Sequence, residues 1–341
     1  MKKNLRNILA LSLGLMTTVA FAQDWNVDSR TRIDMTGDND KMSTDQRVTL
    51  GATVGGSDWG IHVSSDVNYT LGANSAASMS IYEAYASADL MGYASVTAGR
   101  QALNYGSGAL ISSNDWSASR TTWEGMTFGL NLDAADVTIG YHSQNAGGAT
   151  DESNGYMHIN AGGEFSGWNV NVLYMTEEVD GENGDAATGI DISGTVSGAS
   201  VMASMNTDFD GNEMQMVGVS YSVNDDMNVV GSYTQYGDDN GFNMAGTNMD
   251  GSWMTTGNMG YLGANDEDMS LGLTYNMGSI NLGATMHQIS NDGSDDDRDI
   301  MEISLGYSLG EASGLSLKYA TDSTGDADEA KYMWLTLNVG L

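Results

Sequence analysis

The chain has 341 residues and contains 44 glycines but neither proline nor cysteine. The absence of cysteine excludes disulfides, thiolate metal sites, cysteine nucleophiles and lipid attachment at an N-terminal cysteine. The 45 Asp and Glu outnumber the 12 Lys and Arg, and the resulting net charge of −33 excludes nucleic acid as a natural partner, because the two anions would repel each other.

The chain begins with the features of a secretory signal peptide, residues 1–22. Three cations lie among the first six residues, an apolar run follows, and Ala20-Phe21-Ala22 offers a cleavage site. The apolar run is too short to span a bilayer as a helix. Cleavage would leave residues 23–341 with 9 Lys and Arg against 45 Asp and Glu, which is a net charge of −36.

The remaining sequence alternates between apolar and polar residues with a period of two. In an early segment Val48 and Leu50 share one face while Thr49 lies on the other. Such alternation is typical of strands that have lipid or a core on one side and water on the other. Repetition of this pattern to the C-terminus predicts eighteen strands, or sixteen if the least apolar pair, 188–197 and 199–207, is loop.

The connections between these strands alternate between short and long. Met91-Gly92 is one of the short connections, and segments 101–120, 178–187 and 237–267 are among the long ones. Short turns at one end and long loops at the other are the layout of an antiparallel up-and-down transmembrane β-barrel with both termini in the periplasm. The sequence therefore predicts one all-β barrel in the outer membrane of a Gram-negative bacterium. A soluble β-sandwich has no reason to sort its loops by length.

Aromatic residues agree with a membrane environment. Trp25, Trp59 and Trp168 each lie at the start of a predicted strand, and several tyrosines lie towards the opposite strand ends. Two aromatic girdles at the bilayer interfaces are characteristic of outer-membrane barrels. We therefore expect outer-membrane lipid, lipopolysaccharide and the barrel-assembly machinery as partners. The last residue, Leu341, departs from the aromatic terminus that this machinery usually recognises.

Residues 96–128 carry four short motifs in sequence. They are Gly99-Arg100-Gln101, Tyr105-Gly106-Ser107-Gly108, Asp115-Trp116 and Trp123-Glu124-Gly125. Their order resembles the corresponding stretch of alginate-export-type outer-membrane channels, over 33 of the 341 residues. The rest of the chain is similar to porins in architecture. The resemblance implies a monomeric barrel through which a solute passes, and it does not fix the solute.

Residues 101–120 are predicted to fold into the barrel and narrow the pore. This segment is longer than a connecting loop without a function usually is, and its glycines and serines suit a segment packed inside the lumen. A regular strand would aim Arg100 at lipid, which costs about 2–4 kcal/mol near the middle of the bilayer. A bulge at Gly99 would turn Arg100 inward instead.

The predicted constriction combines basic and acidic side chains. Its residues are Arg30, Arg32, Arg47, Arg100 and Arg120, the facing acids Asp115 and Glu124, and Tyr105 on the infolded segment. A field across a narrow lumen orients dipolar solutes and hinders apolar ones. Alternatively, the arginines pair with Asp28, Asp34 and Asp66 and only neutralise a packed wall.

The favoured function is a pore for passive diffusion of small hydrophilic solutes, with a preference for cations. One alternative is a channel for a specific solute or an acidic polysaccharide, which would need more Lys and Arg along the lumen. Another is a structural or adhesive surface barrel whose acidic loops bind Ca²⁺. The candidate calcium ligands are Asp295, Asp297 and Asp299, and no other cofactor is expected.

An enzyme on the same barrel is not expected. His142 and Ser143 are adjacent, but neighbouring residues of a strand point to opposite faces. The sequence also has no nucleophile elbow in a strand–turn–helix context.

Overall fold

The computed structural model describes residues 22–36, 42–73, 77–117, 120–132, 134–145, 153–244, 261–294, 297–325 and 327–340. The first 21 residues of the predicted signal peptide lie outside the described residues. The described residues form one sheet of eighteen strands. The strands are β1 (Ala22–Asp34), β2 (Ser43–Gly55), β3 (Trp59–Thr70), β4 (Ser78–Leu90), β5 (Ala94–Gln101), β6 (Trp123–Leu132), β7 (Ala135–Asn145), β8 (Asn154–Phe165), β9 (Trp168–Val179), β10 (Glu182–Val196), β11 (Ala199–Thr207), β12 (Glu213–Ser222), β13 (Met227–Tyr236), β14 (Asp266–Met277), β15 (Ile280–Asn291), β16 (Arg298–Gly310), β17 (Ser313–Thr324) and β18 (Ala330–Gly340).

The sheet closes on itself. Each strand pairs antiparallel with its neighbours in the chain, and β1 pairs with both β2 and β18. Thr31 of β1, for example, lies between Gln46 of β2 and Leu337 of β18. This confirms the predicted all-β up-and-down barrel with eighteen strands rather than sixteen, since β10 and β11 pair along nine register positions. Among the described residues, no helix is long and apolar enough to cross a membrane.

The two faces of the barrel follow the alternation of the sequence. On β14, Met269 and Leu271 are 63% and 61% exposed on the outer face, whereas Asp268 and Ser270 point into the lumen. Trp25, at the short-turn end, is also on the outer face. An outward apolar band with aromatic residues towards its edges suits a lipid environment.

The short connections are tight hairpins. At Ser166-Gly167 and Ser197-Gly198 both central residues have positive φ. This is the type I′ geometry, whose twist matches that of the strands it joins. These turns lie at one end of the barrel, which we call the short-turn end. The opposite, long-loop end carries segments 102–122 and 237–265.

One predicted long loop is wrong. Segment 178–187 is not a loop, because β9 and β10 extend to Val179 and Glu182 and are joined by Asp180-Gly181 alone. Both turn residues have positive φ, as in the other tight hairpins. Asp-Gly is one of the strongest short-range signals for such a turn, and the charged residues around it obscured the signal.

Candidate functional site

The segment between β5 and β6, residues 102–122, crosses the lumen. On one side, Gly106 packs against Asp191 of β10 and Asn171 of β9. Ser204 Oγ on β11 donates to Ser107 Oγ at 3.1 Å. The same segment then reaches β1 and β2, which lie on the opposite side of the barrel, nine strands from β10. We call residues 102–122 the crossing segment; residues 118–119 lie outside the described residues.

Gly106 is required where the crossing segment meets the wall. Its φ is +56°, in the left-handed region that residues with a side chain adopt less readily. A Cβ atom at this position would overlap the carboxylate of Asp191 and approach the amide of Asn171 to 2.9 Å. The first glycine of the Tyr105-Gly106-Ser107-Gly108 motif therefore permits close approach of the segment to the wall.

On the far side, two arginines of adjacent strands hold the crossing segment. Arg30 donates to the carbonyl oxygens of Asp115 and Ser117 at 2.6 and 3.2 Å. Arg47 donates to the same two carbonyls at 3.2 and 3.1 Å and to the Asp115 carboxylate at 2.8 Å. Arg30 and Arg47 are register partners, and like charges directly opposite each other are destabilising. The segment supplies the oxygens that offset this repulsion.

Arg32 contributes through both a hydrogen bond and an aromatic contact. Its guanidinium donates to the carbonyl of Trp116 at 3.1 Å and lies 3.7 Å from the centre of the Trp116 ring. The ammonium of Lys318, on β17, is 5.1 Å from the same ring, and Trp334 of β18 meets it edge-on at 5.4 Å. Trp116 therefore extends the cluster towards β17 and β18.

Arg120 anchors the end of the crossing segment to β3. Its guanidinium donates to both carboxylate oxygens of Asp66, at 2.5 and 3.2 Å, and to Thr49 at 3.0 Å. It also lies over the ring of Tyr82, and one nitrogen is 3.5 Å from Asp115. Of the acids considered as neutralising partners, Asp66 thus binds Arg120. Arg30, Arg32, Arg47 and Arg120 form the arginine cluster, in which Arg47 and Arg120 make ion pairs with the carboxylates of Asp115 and Asp66.

The structure corrects the placement of two predicted constriction residues, Arg100 and Glu124. They are register partners and form an ion pair. Glu124 shares strand parity with Met126 and Phe128, which are exposed on the outer face. Gly99 does adopt a positive φ, but the register of β5 continues unbroken through it, so Arg100 keeps its outward direction. The cost of an outward cation is lowered by the paired carboxylate and by its position at the long-loop end of the strand.

Tyr105 lies inside the barrel but away from the arginines. Its ring contacts His158 at 5.2 Å between ring centres, and His158 stacks on His142 at 5.1 Å. Trp123, at the start of β6, meets His142 edge-on. Tyr105 therefore packs the crossing segment against β7 and β8.

The predicted calcium ligands are only partly described. Asp295 lies outside the described residues, and Asp297 and Asp299 are exposed near the start of β16. The described part of the chain contains no group of three or more His, Cys, Asp or Glu side chains that could hold a metal ion. Calcium binding stays a prediction.

A cavity of about 1000 Å³ lies in the lumen beside the crossing segment. Gly106 and Ser107 of that segment contribute to its lining. The charged side chains around it are Asp136, Glu164, Asp191, Glu302 and Lys318. Four carboxylates and one ammonium thus make this part of the lumen acidic.

Sequence reasoning missed the segment that covers the crossing segment from the long-loop end. Phe242, Met244 and Leu262, between β13 and β14, are buried in the lumen. Three scattered apolar residues in a polar, glycine-rich stretch give no periodic signal. The sequence feature that could have indicated this segment is the presence of large apolar residues within a long, polar connection.

Comparison with known proteins identifies the family. The sequence matches the Gram-negative porin profile over residues 9–340. The chain belongs to the Gram-negative porin family. This porin is an outer-membrane channel protein, and outer-membrane lipid and small solutes are the partners that the family suggests.

Solved porin structures share the fold. Pseudomonas aeruginosa OccK11 (OpdR) has 14% identity and a TM-score of 0.72, with 94% of this chain and 96% of that chain covered. P. aeruginosa OpdK, solved with vanillate, has 12% identity and a TM-score of 0.74, with 94% and 100% covered. Acinetobacter baumannii OccAB3 has 10% identity and a TM-score of 0.73, with 94% and 99% covered. No curated protein matches this porin.

Proposed function

We propose that this porin is a non-enzymatic pore for passive diffusion of small hydrophilic solutes and that it prefers cations. The observation that carries the preference is the acidic cavity beside the crossing segment, where Asp136, Glu164, Asp191 and Glu302 accompany a single Lys318. Fixed charges of one sign in a low-dielectric channel raise the local concentration of the opposite ion.

The arginine cluster repels cations less than its four positive charges would suggest. Arg30, Arg32 and Arg47 donate to backbone carbonyls of the crossing segment, and Arg120 is bound to Asp66. Arg47 and Asp66 are almost completely buried. Much of the cluster therefore holds the segment in place.

We also propose that the long-loop end faces the outside of the cell and that both termini lie in the periplasm. Short turns on the periplasmic side and longer loops outside are usual for bacterial barrels. Lipopolysaccharide and the barrel-assembly machinery are the further partners that this orientation favours.

A second candidate is a channel for a specific anionic solute, such as a carboxylate or the acidic polysaccharide suggested by the sequence resemblance. The observation in its favour is that four guanidinium groups, those of Arg30, Arg32, Arg47 and Arg120, lie together around residues 115–117. Arginine is well suited to carboxylates because its planar donors match both oxygens.

Reversal potentials distinguish the two candidates. The purified protein is reconstituted in a planar bilayer under a KCl gradient, beside variants Asp191→Asn and Glu164→Gln. Glu124→Gln is a matched control, because Glu124 lies on the outer face. We expect cation selectivity that weakens in both lumen variants and is unchanged in the control.

An anion-selective wild-type current would instead support the second candidate. No current from a correctly folded barrel would contradict any pore function and would direct attention to the acidic loops as calcium-binding or adhesive elements.

A further inference from the structure

A second connection also enters the barrel. The segment between β13 and β14 is described over residues 237–244 and 261–265, and its apolar side chains point into the lumen. Phe242 is 1% exposed and Leu262 is 6% exposed. Side chains of a surface loop are seldom so completely buried.

Specific contacts join this segment to the crossing segment and to the wall. The Tyr261 hydroxyl donates to the carbonyl oxygen of Ala109 at 2.6 Å, and the rings of Tyr261 and Phe242 meet edge-on at 4.9 Å. The backbone N–H of Asn243 donates to Asp208 at 2.9 Å. Asp208 is itself buried between β11 and β12. The second segment is therefore held at two independent points.

The wall beneath these contacts is apolar over a wide arc from β8 to β16. Its inward side chains are all buried and belong to one cluster with Ala109, Leu110, Ile111, Phe242, Met244 and Leu262. These wall residues are Tyr156, Leu173, Met175, Ala187, Met214, Tyr236, Ile289 and Ile300. We call this cluster the apolar plug.

Burial along the crossing segment changes abruptly. Residues 109–114 are all buried, and the first three of them belong to the plug, whereas the Asp115 side chain is 60% exposed. Arg30 and Arg32, on the same side as Asp115, are partly exposed. Water therefore reaches the segment at Asp115 and, in the cavity, at Gly106, but not at residues 109–114.

We propose that the apolar plug closes the β8–β16 side of the lumen at the level of the crossing segment and confines the passage there to a crescent between Asp115 and the wall formed by β17, β18, β1, β2 and β3. The acidic cavity lies on the short-turn side of the plug, because its lining residues on β8–β16 lie nearer the short turns than the plug residues of the same strands, and the crescent opens into it. Phe242 and Tyr261 are the positioning residues that hold the crossing segment in this place and so set the width of the crescent. A close-packed apolar cluster excludes water, so hydrophilic solutes have no path through it. This inference rests on the proposed pore function.

Two substitutions test the plug. Phe242→Ala removes a buried ring, and Tyr261→Phe removes only the hydroxyl that binds Ala109. Phe242→Leu retains most of the apolar volume, and Tyr233→Phe is a matched control because Tyr233 lies outside the plug on β13. Single-channel conductance and liposome swelling with sugars of increasing size are measured, with circular dichroism as a check of folding.

We expect Phe242→Ala to raise conductance about twofold and to admit larger sugars, because a truncated core side chain loosens its surroundings. Tyr261→Phe should increase current fluctuations, and Phe242→Leu and Tyr233→Phe should behave as wild type. Unchanged conductance and sugar cutoff in folded Phe242→Ala, with quiet current in Tyr261→Phe, would overturn the plug. A wild-type protein that does not conduct would overturn the proposed function instead.

Discussion

Asp115 is the acidic side chain that faces both the arginine cluster and water. Replacing it by Asn keeps the shape of the side chain but removes its charge beside Arg47 and Arg120, at 2.8 and 3.5 Å. Because the carboxylate is 60% exposed, solvent screens these pairs, and we expect a loss of about 1 kcal/mol of stability. The barrel should therefore still fold.

The effect on ion selectivity should be easier to measure. A unit charge about 7 Å from a monovalent ion in water contributes about 0.6 kcal/mol, which changes the permeability of that ion about threefold. Removing the negative charge of Asp115 should lower the permeability of K⁺ and raise that of Cl⁻ by this factor, so the permeability of K⁺ relative to Cl⁻ should fall about sevenfold.

Reversal potentials under a KCl gradient give this ratio directly. Asp225→Asn is the control, because Asp225 is exposed in the connection between β12 and β13 at the short-turn end. If Asp115→Asn and the control give the same ratio, ions do not pass close to Asp115 and the reasoning fails.

Three further predictions concern the crossing segment and its surroundings. Gly106→Ala should displace the segment at a cost of about 1–3 kcal/mol, because its φ is +56° and a Cβ would meet the wall; denaturant unfolding and current noise measure this. His142 and His158 stack at 5.1 Å, so protonation of both would add about 3 kcal/mol of repulsion at an effective dielectric constant of about 20. Acidification should therefore increase current noise in the wild-type protein but not in a variant with Phe in place of both histidines. Equal noise in the wild-type protein and this variant at low pH would contradict the prediction. Arg100→Gln should leave ion selectivity unchanged, since Arg100 lies on the outer face, and a changed reversal potential would refute that placement.

The architecture could be predicted because it depends on local patterns. Period-two alternation and tight turns are read from adjacent residues, and they gave eighteen strands with boundaries close to those of the structure. The loop predicted at 178–187 is wrong because β9 and β10 continue through charged residues to a tight hairpin at Asp180-Gly181. Charged residues are compatible with a strand that projects beyond the lipid.

The lumen could be predicted only in part. Strand parity placed Arg30, Arg32 and Arg47 towards the interior, where they contact the crossing segment. Strand parity also predicted that the Arg100 side chain points outward. The bulge predicted at Gly99, which would turn Arg100 inward, is absent from the register of β5. Register depends on cross-strand partners, and the partner Glu124 made the outward position acceptable.

The plug could not be read from the sequence. Phe242 and Leu262 meet Ala109–Ile111 across more than a hundred residues of chain, so the contact is created by closure of the barrel. A contact between residues so far apart leaves no periodic pattern in the sequence.

The most direct test of a pore that passes beside Asp115 uses cysteine accessibility, because the chain contains no cysteine of its own. Ser117→Cys places a thiol on the side of the crescent, and Leu110→Cys places one inside the apolar plug. Current through each variant is followed in a planar bilayer while a small, charged, thiol-specific reagent is added. We predict rapid loss of current for Ser117→Cys and none for Leu110→Cys. Block through Leu110→Cys but not through Ser117→Cys would show that the passage lies on the other side of the barrel and would contradict the central claim.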